Sequence, residues 1–222
     1  MNIDLHIHSN YSEDSIIKLD SLLRNLKEIG LDGVAITDHD TVESINKAKE
    51  LAKKYSTKVF AAVELSSKEG HILAYGINKL PPNLFSAERL IEWIKNNNGI
   101  AVCAHPYRFS SPSFGDNIFN YKFDALEINP KCHYEQNKTA EMVANMKNIP
   151  LIGGSDAHSL GCVGDVYTYF PDAIETEEDL IDAIKKNKCK VMYKIPIELK
   201  AKLIQAIPRN ELQLMEKYVI SK

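Results

Sequence analysis

His6 and His8 stand two residues apart in the opening D-L-H-I-H-S. On an extended strand, alternate residues share a face, so both imidazoles point to one side and can chelate a single ion. Asp156-x-His158, after G-G-S, repeats this spacing with a carboxylate replacing one imidazole. Asp38-His39-Asp40 follows V-A-I-T, and His105 follows I-A-V-C-A, which puts ligand-type side chains where apolar runs end. Asp40 reads as the N-cap of a following helix, while His39 and His105 read as ligands. Glu64 ends A-A-V-E and Glu127 holds the same place in A-L-E-I-N. A carboxylate buried without a partner is expensive, so each implies an ion pair or a metal. Glu64 is placed to bridge two ions. Glu127 is read either as a ligand or as a group that holds a ligand or a metal-bound water, and Asp38 is given the same supporting role.

These groups meet only if the fold brings them together. Seven short apolar runs alternate with helical patterns, the order expected of strands joined by crossover helices. They are Asn2–His6, Gly33–Thr37, Val59–Glu64, Ile100–Ala104, Asp124–Ile128, Leu151–Ser155 and Cys189–Tyr193. Two further stretches, Ile72–Ile77 and Val166–Phe170, read as hairpin partners or edge strands. Leu19, Leu22, Leu23, Leu26 and Ile29 form a helical stripe ending at Gly30. Further helices are predicted over Thr41–Tyr55, from Ser86 to Gly99, over Glu135–Lys147, and over Leu180–Asn187 behind a capping box at Thr176–Asp179. The last segment, about 196–222, reads as a helical tail interrupted by Pro208. The expected architecture is a single α/β domain over 1–222, a parallel barrel whose active face is formed by the C-terminal strand ends.

Composition narrows the function classes. With 27 Lys+Arg against 30 Asp+Glu, the net charge of -3 gives no global attraction to nucleic acid or anionic membrane. Any anion the chain binds must therefore be drawn by a local site. No apolar run approaches the ~20 residues of a membrane span, and the N-terminus lacks the pattern of a signal peptide. Cys103, Cys132, Cys162 and Cys189 form no C-x-x-C pair and read as free thiols of a cytoplasmic protein.

Taken in order, D-L-H-I-H-S-x-x-S-x-D at 4–14, I-T-D-H-D at 36–40, V-E at 63–64, H-I-L-A-Y-G at 71–76, A-H-P at 104–106 and G-S-D-A-H at 154–158 resemble the PHP (polymerase and histidinol phosphatase) family of metal-dependent phosphoesterases. The resemblance is to a form without a large inserted domain, since 33 residues lie between His71 and His105. It implies a distorted seven-stranded parallel TIM-like barrel holding two or three divalent ions, with Mn, Fe and Zn all suited to the donor set. Carried over, His6, His8, Glu64 and Asp156 would bind one ion; Asp14, His39 and His158 a second; Glu64, His71 and His105 a third.

The implied chemistry is hydrolysis of small phosphomonoesters or nucleotides by a hydroxide bridging two ions, with Glu64, Asp156 and His158 at its centre. Arg108, directly after His105-Pro106-Tyr107, is expected to grip the phosphate, with Lys131 and His133 as alternates. Tyr11, Tyr107 and Phe109 either stack on a base or pack at the rim. Two other readings compete: an exonuclease-type phosphodiesterase on single-stranded nucleic acid ends, and a non-catalytic metal-stabilised scaffold. A small phosphorylated substrate is the expected partner, with nucleic acid only as substrate and no membrane.

Overall fold

A computed structural model describes residues 1–83 and 86–194. The predicted tail at 196–222 lies outside the described residues. The strands are β1 (Asn2–Ile7), β2 (Gly33–Ile36), β3 (Lys58–Ser66), β4 (His71–Tyr75), β5 (Ile100–Cys103), β6 (Ala125–Ile128), β7 (Leu151–Gly153), β8 (Val166–Tyr169) and β9 (Lys190–Tyr193). They form one sheet in the order β7-β6-β5-β4-β3-β2-β1-β8-β9. The sheet curls until β7 meets β1 and β8. The Asp156 N–H donates to the His6 carbonyl at 2.7 Å, the His8 N–H to the Ala157 carbonyl at 3.0 Å, and the Gly153 N–H to Thr168 Oγ1 at 2.8 Å. The result is a nearly closed barrel.

The seven expected strands are all present and run in one direction, but the parallel seven-stranded count is corrected to nine strands of mixed direction. β4 pairs antiparallel with both β3 and β5, and β8 pairs antiparallel with β1 and β9. The connections before β4 and β8 explain both. Only four residues link β3 to β4, pinned by the Ser67 N–H donating to the Gly70 carbonyl at 3.1 Å, and a parallel return needs a crossover of a dozen or more. Between β7 and β8 there is a short 3-10 turn, Leu160–Cys162, and no α-helix to carry the chain back.

The helices are α1 (Leu19–Ile29), α2 (Ser44–Tyr55), α3 (Ala87–Asn96), α4 (Tyr134–Lys147) and α5 (Glu177–Lys185). In α1 the predicted stripe buries Leu22, Leu23 and Leu26 completely against β1 and β2 residues such as Ile7 and Val34. Each such leucine contributes about 1.5–3 kcal/mol by leaving water. Gly30 ends the helix at φ 91, a left-handed conformation that a side chain would strain. α5 starts three residues before the expected Leu180, since Thr176 Oγ1 accepts the Asp179 N–H and the Asp179 carboxylate accepts the Thr176 N–H. Leu180 and Ile184 of α5 join Ile3, Tyr75, Ile100 and Ile152 in one apolar cluster. Ile3 and Ile100 lie at the starts of their strands and Tyr75 at the end of the reversed β4, so this cluster fills the barrel end away from the histidines.

Candidate metal centre

Six of the seven histidines gather at one barrel end. β1 supplies His6 and, just beyond it, His8; the β1–β2 register shifts between Asp4 and Ile7, an irregularity of the kind that re-aims side chains beside functional sites. His39 follows β2 and His105 follows β5. His71 starts β4 rather than ending it. Because β4 runs backwards, its first residue lies opposite Ser66 at the end of β3, and His71 reaches the same edge as the others.

Glu64 is the hub. Its Oε2 lies 2.9 Å from His6 Nε2, 3.0 Å from His8 Nε2 and 3.6 Å from His39 Nδ1. Its Oε1 lies 2.9 Å from His71 Nδ1 and 3.1 Å from His105 Nε2. One carboxylate therefore divides five imidazoles between its two oxygens. Asp156 Oδ1 lies 3.3 Å from His8 Nε2 and 3.5 Å from His158 Nδ1, and Asp14 Oδ2 lies 2.7 Å from His158 Nε2 and 3.5 Å from His39 Nε2. All nine ligand candidates lie in this one constellation. Three overlapping groups have ligand atoms within 4.8 Å of one another: His8, Asp14, His39 and His158; His6, His8 and Glu64; and His39, Glu64 and His71. His8 and His39 are thus shared between groups that the sequence comparison had kept apart.

The charges explain one another. Burial is the largest influence on Glu64 and pushes its pKa up, but His6, His105 and His71 outweigh it and hold the carboxyl well below its usual range. Burial likewise opposes charge on His6, yet Glu127, Glu64 and Asp156 raise it well above the ordinary imidazole value. His8 is raised in the same way, against burial, by Asp156 and Glu64. Asp156 is depressed despite burial by His6, His8 and Lys131. His39 goes down, chiefly by burial, with His8 and His71 adding like charge.

These residues fit divalent ions. Imidazole and carboxylate donors converge without an apolar side chain between them, and the supporting bonds fix ring orientation. Glu127 Oε1 stands 2.7 Å from His6 Nδ1, so that nitrogen donates to Glu127 and Nε2 is turned toward His8 Nε2, 3.0 Å away. The Asp156 carbonyl, 2.8 Å from His158 Nδ1, orients that ring similarly. His105 Nδ1 is buried with no hydrogen-bond partner.

The supporting residues are themselves held. Glu127 Oε2 accepts the His105 N–H at 2.7 Å and an Asn129 Nδ2–H at 3.1 Å, so Glu127 braces two histidines from behind. Asp38 accepts the Ser9 N–H at 2.6 Å and its hydroxyl at 2.8 Å, fixing the turn after His8. Asp40 does not cap α2, which starts at Ser44 with Glu43 before it; at φ 49 it accepts the Ser66 N–H at 2.8 Å instead. The capping expectation is corrected: the chain turns once more before the helix, and Asp40 ties that turn to β3.

Arg108 Nη1 lies 2.7 Å from Asp156 Oδ2, and Lys131 Nζ lies 3.2 Å from Asp156 Oδ1 and 2.8 Å from His158 Nδ1. Both cations therefore stand at the rim of the cluster. His133 is placed differently: it precedes α4 as its N-cap, its N–H donating to Gln136 Oε1 at 2.7 Å. Asp4 and Ser12 were not singled out as site residues. Buried Asp4 accepts from the Ser155 and Gly164 N–H groups at 2.9 Å each, and burial lifts its pKa to about 6 against those bonds. Ser12 Oγ accepts the His39 N–H at 2.8 Å. For Asp4 the available signal was the period-two D-x-H-x-H, which puts it on the face of His6.

The comparisons with known proteins agree with this geometry. The chain is 34% identical over 138 residues to an uncharacterized protein of Methanocaldococcus jannaschii, a match covering 58% of this chain and 81% of that one. The PHP-associated family matches residues 134–189, the stretch from the start of α4 to the residue before β9, which carries Asp156 and His158. The chain belongs to the PHP family. It is also 30% identical over 87 residues to a phosphoribosyl 1,2-cyclic phosphate 1,2-diphosphodiesterase of Eggerthella lenta and 32% identical over 85 residues to a 5'-3' exoribonuclease of Haemophilus influenzae. Each of these matches covers 36% of this chain, but only 33% and 31% of the respective relative. A solved structure from Bifidobacterium adolescentis, assigned as a metal-dependent phosphoesterase, superposes with a TM-score of 0.63 at 17% identity, over 83% of this chain and 96% of that one. That likeness is one of fold. Among the described residues, no helix is long and apolar enough to cross a membrane.

Proposed function

We propose that this PHP protein hydrolyses phosphoester bonds in small phosphomonoesters or nucleotides, using two or three divalent ions held by His6, His8, Asp14, His39, Glu64, His71, His105, Asp156 and His158. The observation that carries the reading is Glu64, whose two oxygens each face a separate set of imidazoles, the arrangement a carboxylate needs to serve two ions at once. The names of the Eggerthella and Haemophilus relatives, both enzymes of phosphodiester cleavage, support the reaction class. Such ions would supply charge neutralisation and acidification of water near neutral pH. Three of them would bring +6 against -3 from Asp14, Glu64 and Asp156, giving an acidic chain a cationic site.

The chain's own residues then do the positioning. Arg108 and Lys131 turn from Asp156 to the phosphate oxygens, Arg108 through its planar fork and Lys131 as a point charge. Glu127 keeps His6 in one orientation and holds the His105 backbone. Asp14 and His158 form the more exposed edge of the cluster, Asp14 Oδ2 lying 2.7 Å from His158 Nε2, and would hold the second ion with His39. An exonuclease on single-stranded ends is the second reading, favoured by the Haemophilus match.

The test is a panel of phosphomonoesters, cyclic phosphodiesters and short oligonucleotides, assayed with protein loaded separately with Mn²⁺, Fe²⁺ and Zn²⁺. Hydrolysis of a small ester with at least one ion is expected. Cleavage of oligonucleotides alone would favour the second reading, and no cleavage by any metal-loaded form would overturn both.

A further inference from the structure

A hollow of about 200 Å³ is lined by Tyr107, Phe109, His133, Glu135, Gln136 and Thr139. Its residues interleave with the two rim cations. Tyr107 and Phe109 flank Arg108, whose guanidinium reaches Asp156, and His133 stands two residues beyond Lys131, whose amine reaches Asp156 and His158. Gln136 stitches the two segments together, its Nε2–H donating to the Tyr107 carbonyl at 2.7 Å and its Oε1 accepting the His133 N–H at 2.7 Å. Two residues of backbone span at most ~7 Å. A phosphate on Arg108 and Lys131 therefore leaves the next part of its ester within reach of the hollow.

The lining says what fits. A drug-sized ligand needs roughly 300 Å³ or more, so the space suits one ring system rather than a whole ligand. Two aromatic rings and an imidazole offer flat faces, and Phe109 is 89% exposed, a large apolar surface left in water unless something covers it. The Glu135 carboxylate at the wall repels a second phosphate and accepts N–H groups. Resting on the phosphoesterase reading above, we propose that this hollow seats the planar, uncharged base of a nucleotide whose phosphate lies on Arg108 and Lys131. Phe109 is then the specificity residue, its ring stacked on the base.

The experiment compares metal-loaded wild type, Phe109→Ala and Phe109→Trp on a nucleoside 5′-monophosphate and on ribose 5-phosphate, which has the same ester without the base. Stacking one base on an aromatic ring is strong enough that Phe109→Ala should lower the kcat/KM ratio of nucleotide to ribose phosphate by roughly 5- to 100-fold. Phe109→Trp should restore it. An unchanged ratio, whether both rates fall together or neither moves, overturns the proposal and leaves the phosphoesterase reading standing. If wild type turns over neither compound, ligand-observed saturation-transfer NMR of the nucleotide decides: base-proton transfer lost in Phe109→Ala supports the hollow as the base site, and transfer retained overturns it.

Discussion

At the scale of residues, Glu64 and Glu127 are both fully buried carboxylates at strand ends, yet their surroundings differ. Glu64 faces five imidazoles, whereas Glu127 touches one ring and two N–H donors. Glu64→Gln should therefore remove at least one ion per chain together with nearly all activity. Glu127→Gln should keep its ions and lose on the order of 10- to 100-fold, the usual cost of removing a group that orients a ligand. Elemental analysis alongside kinetics checks this, and equal metal loss in both variants would contradict it. Arg108→Ala should leave metal content intact and lower kcat/KM by roughly 10- to 100-fold, the worth of a charge-assisted contact of about 1.5–3 kcal/mol. Arg108→Lys should recover part of the loss, since it keeps the charge without the fork; unchanged kinetics in Arg108→Ala would mark a surface arginine. Residue type and spacing made His6 and His8 legible because a strand brings alternate side chains to one face. Asp156 and His158 were legible by type, but they lie past the end of β7, with Asp156 at φ 49, and backbone bonds to β1 bring them to the site. Asp4 was not legible as a brace, because its partner Gly164 lies 160 residues away and is reached through the backbone amide. His133 shared the type of the ligands, but the helix it caps sets its place.

At the scale of elements, the seven strands that run together were readable as apolar runs bounded by turns, and β4 is the hairpin partner that one of the two readings of Ile72–Ile77 expected, whereas the place of β8 between β1 and β9 was not readable. Periodicity carries no direction; the connections before those strands, neither of which holds an α-helix, do. The joint between β7 and β1 matters most to the site, because it brings Asp156 to His6. Gly154 makes that joint: a Cβ there would lie 2.4 Å from His6 Cβ and 2.8 Å from Glu127 Oε1. Gly154→Ala must push β1 and the β7 extension apart, at a cost of about 1–3 kcal/mol. The expected result is a Tm lower by several degrees together with weaker metal retention. A thermal melt unchanged from wild type would show that the joint can relax, and the close approach would then not constrain the site.

For the whole molecule, proton and metal occupancy are alternatives at one place. Neighbouring carboxylates raise His6 well above its usual pKa and raise His8 as well, both against the effect of burial. A metal ligand must be a neutral imidazole, so ions must displace those protons. Loading at pH 7 is accordingly expected to release about one proton or more per chain, and affinity should fall as pH falls because protons then compete better. Calorimetric titrations in two buffers of different ionisation enthalpy measure the release directly; identical heats would mean the site is already deprotonated. On the proposed reading, a chain of net charge -3 would attract phosphate because ions at this barrel end would reverse the charge locally.

The most direct test of that account is the rate of phosphoester hydrolysis as metal is added in steps to chelator-stripped protein. The rate should start at zero, rise with added ion and level off at two or three equivalents per chain, while Glu64→Gln stays flat throughout. Turnover by the stripped protein, or a rate indifferent to metal on every substrate of the panel, would contradict the assignment of this cluster as a hydrolytic metal centre.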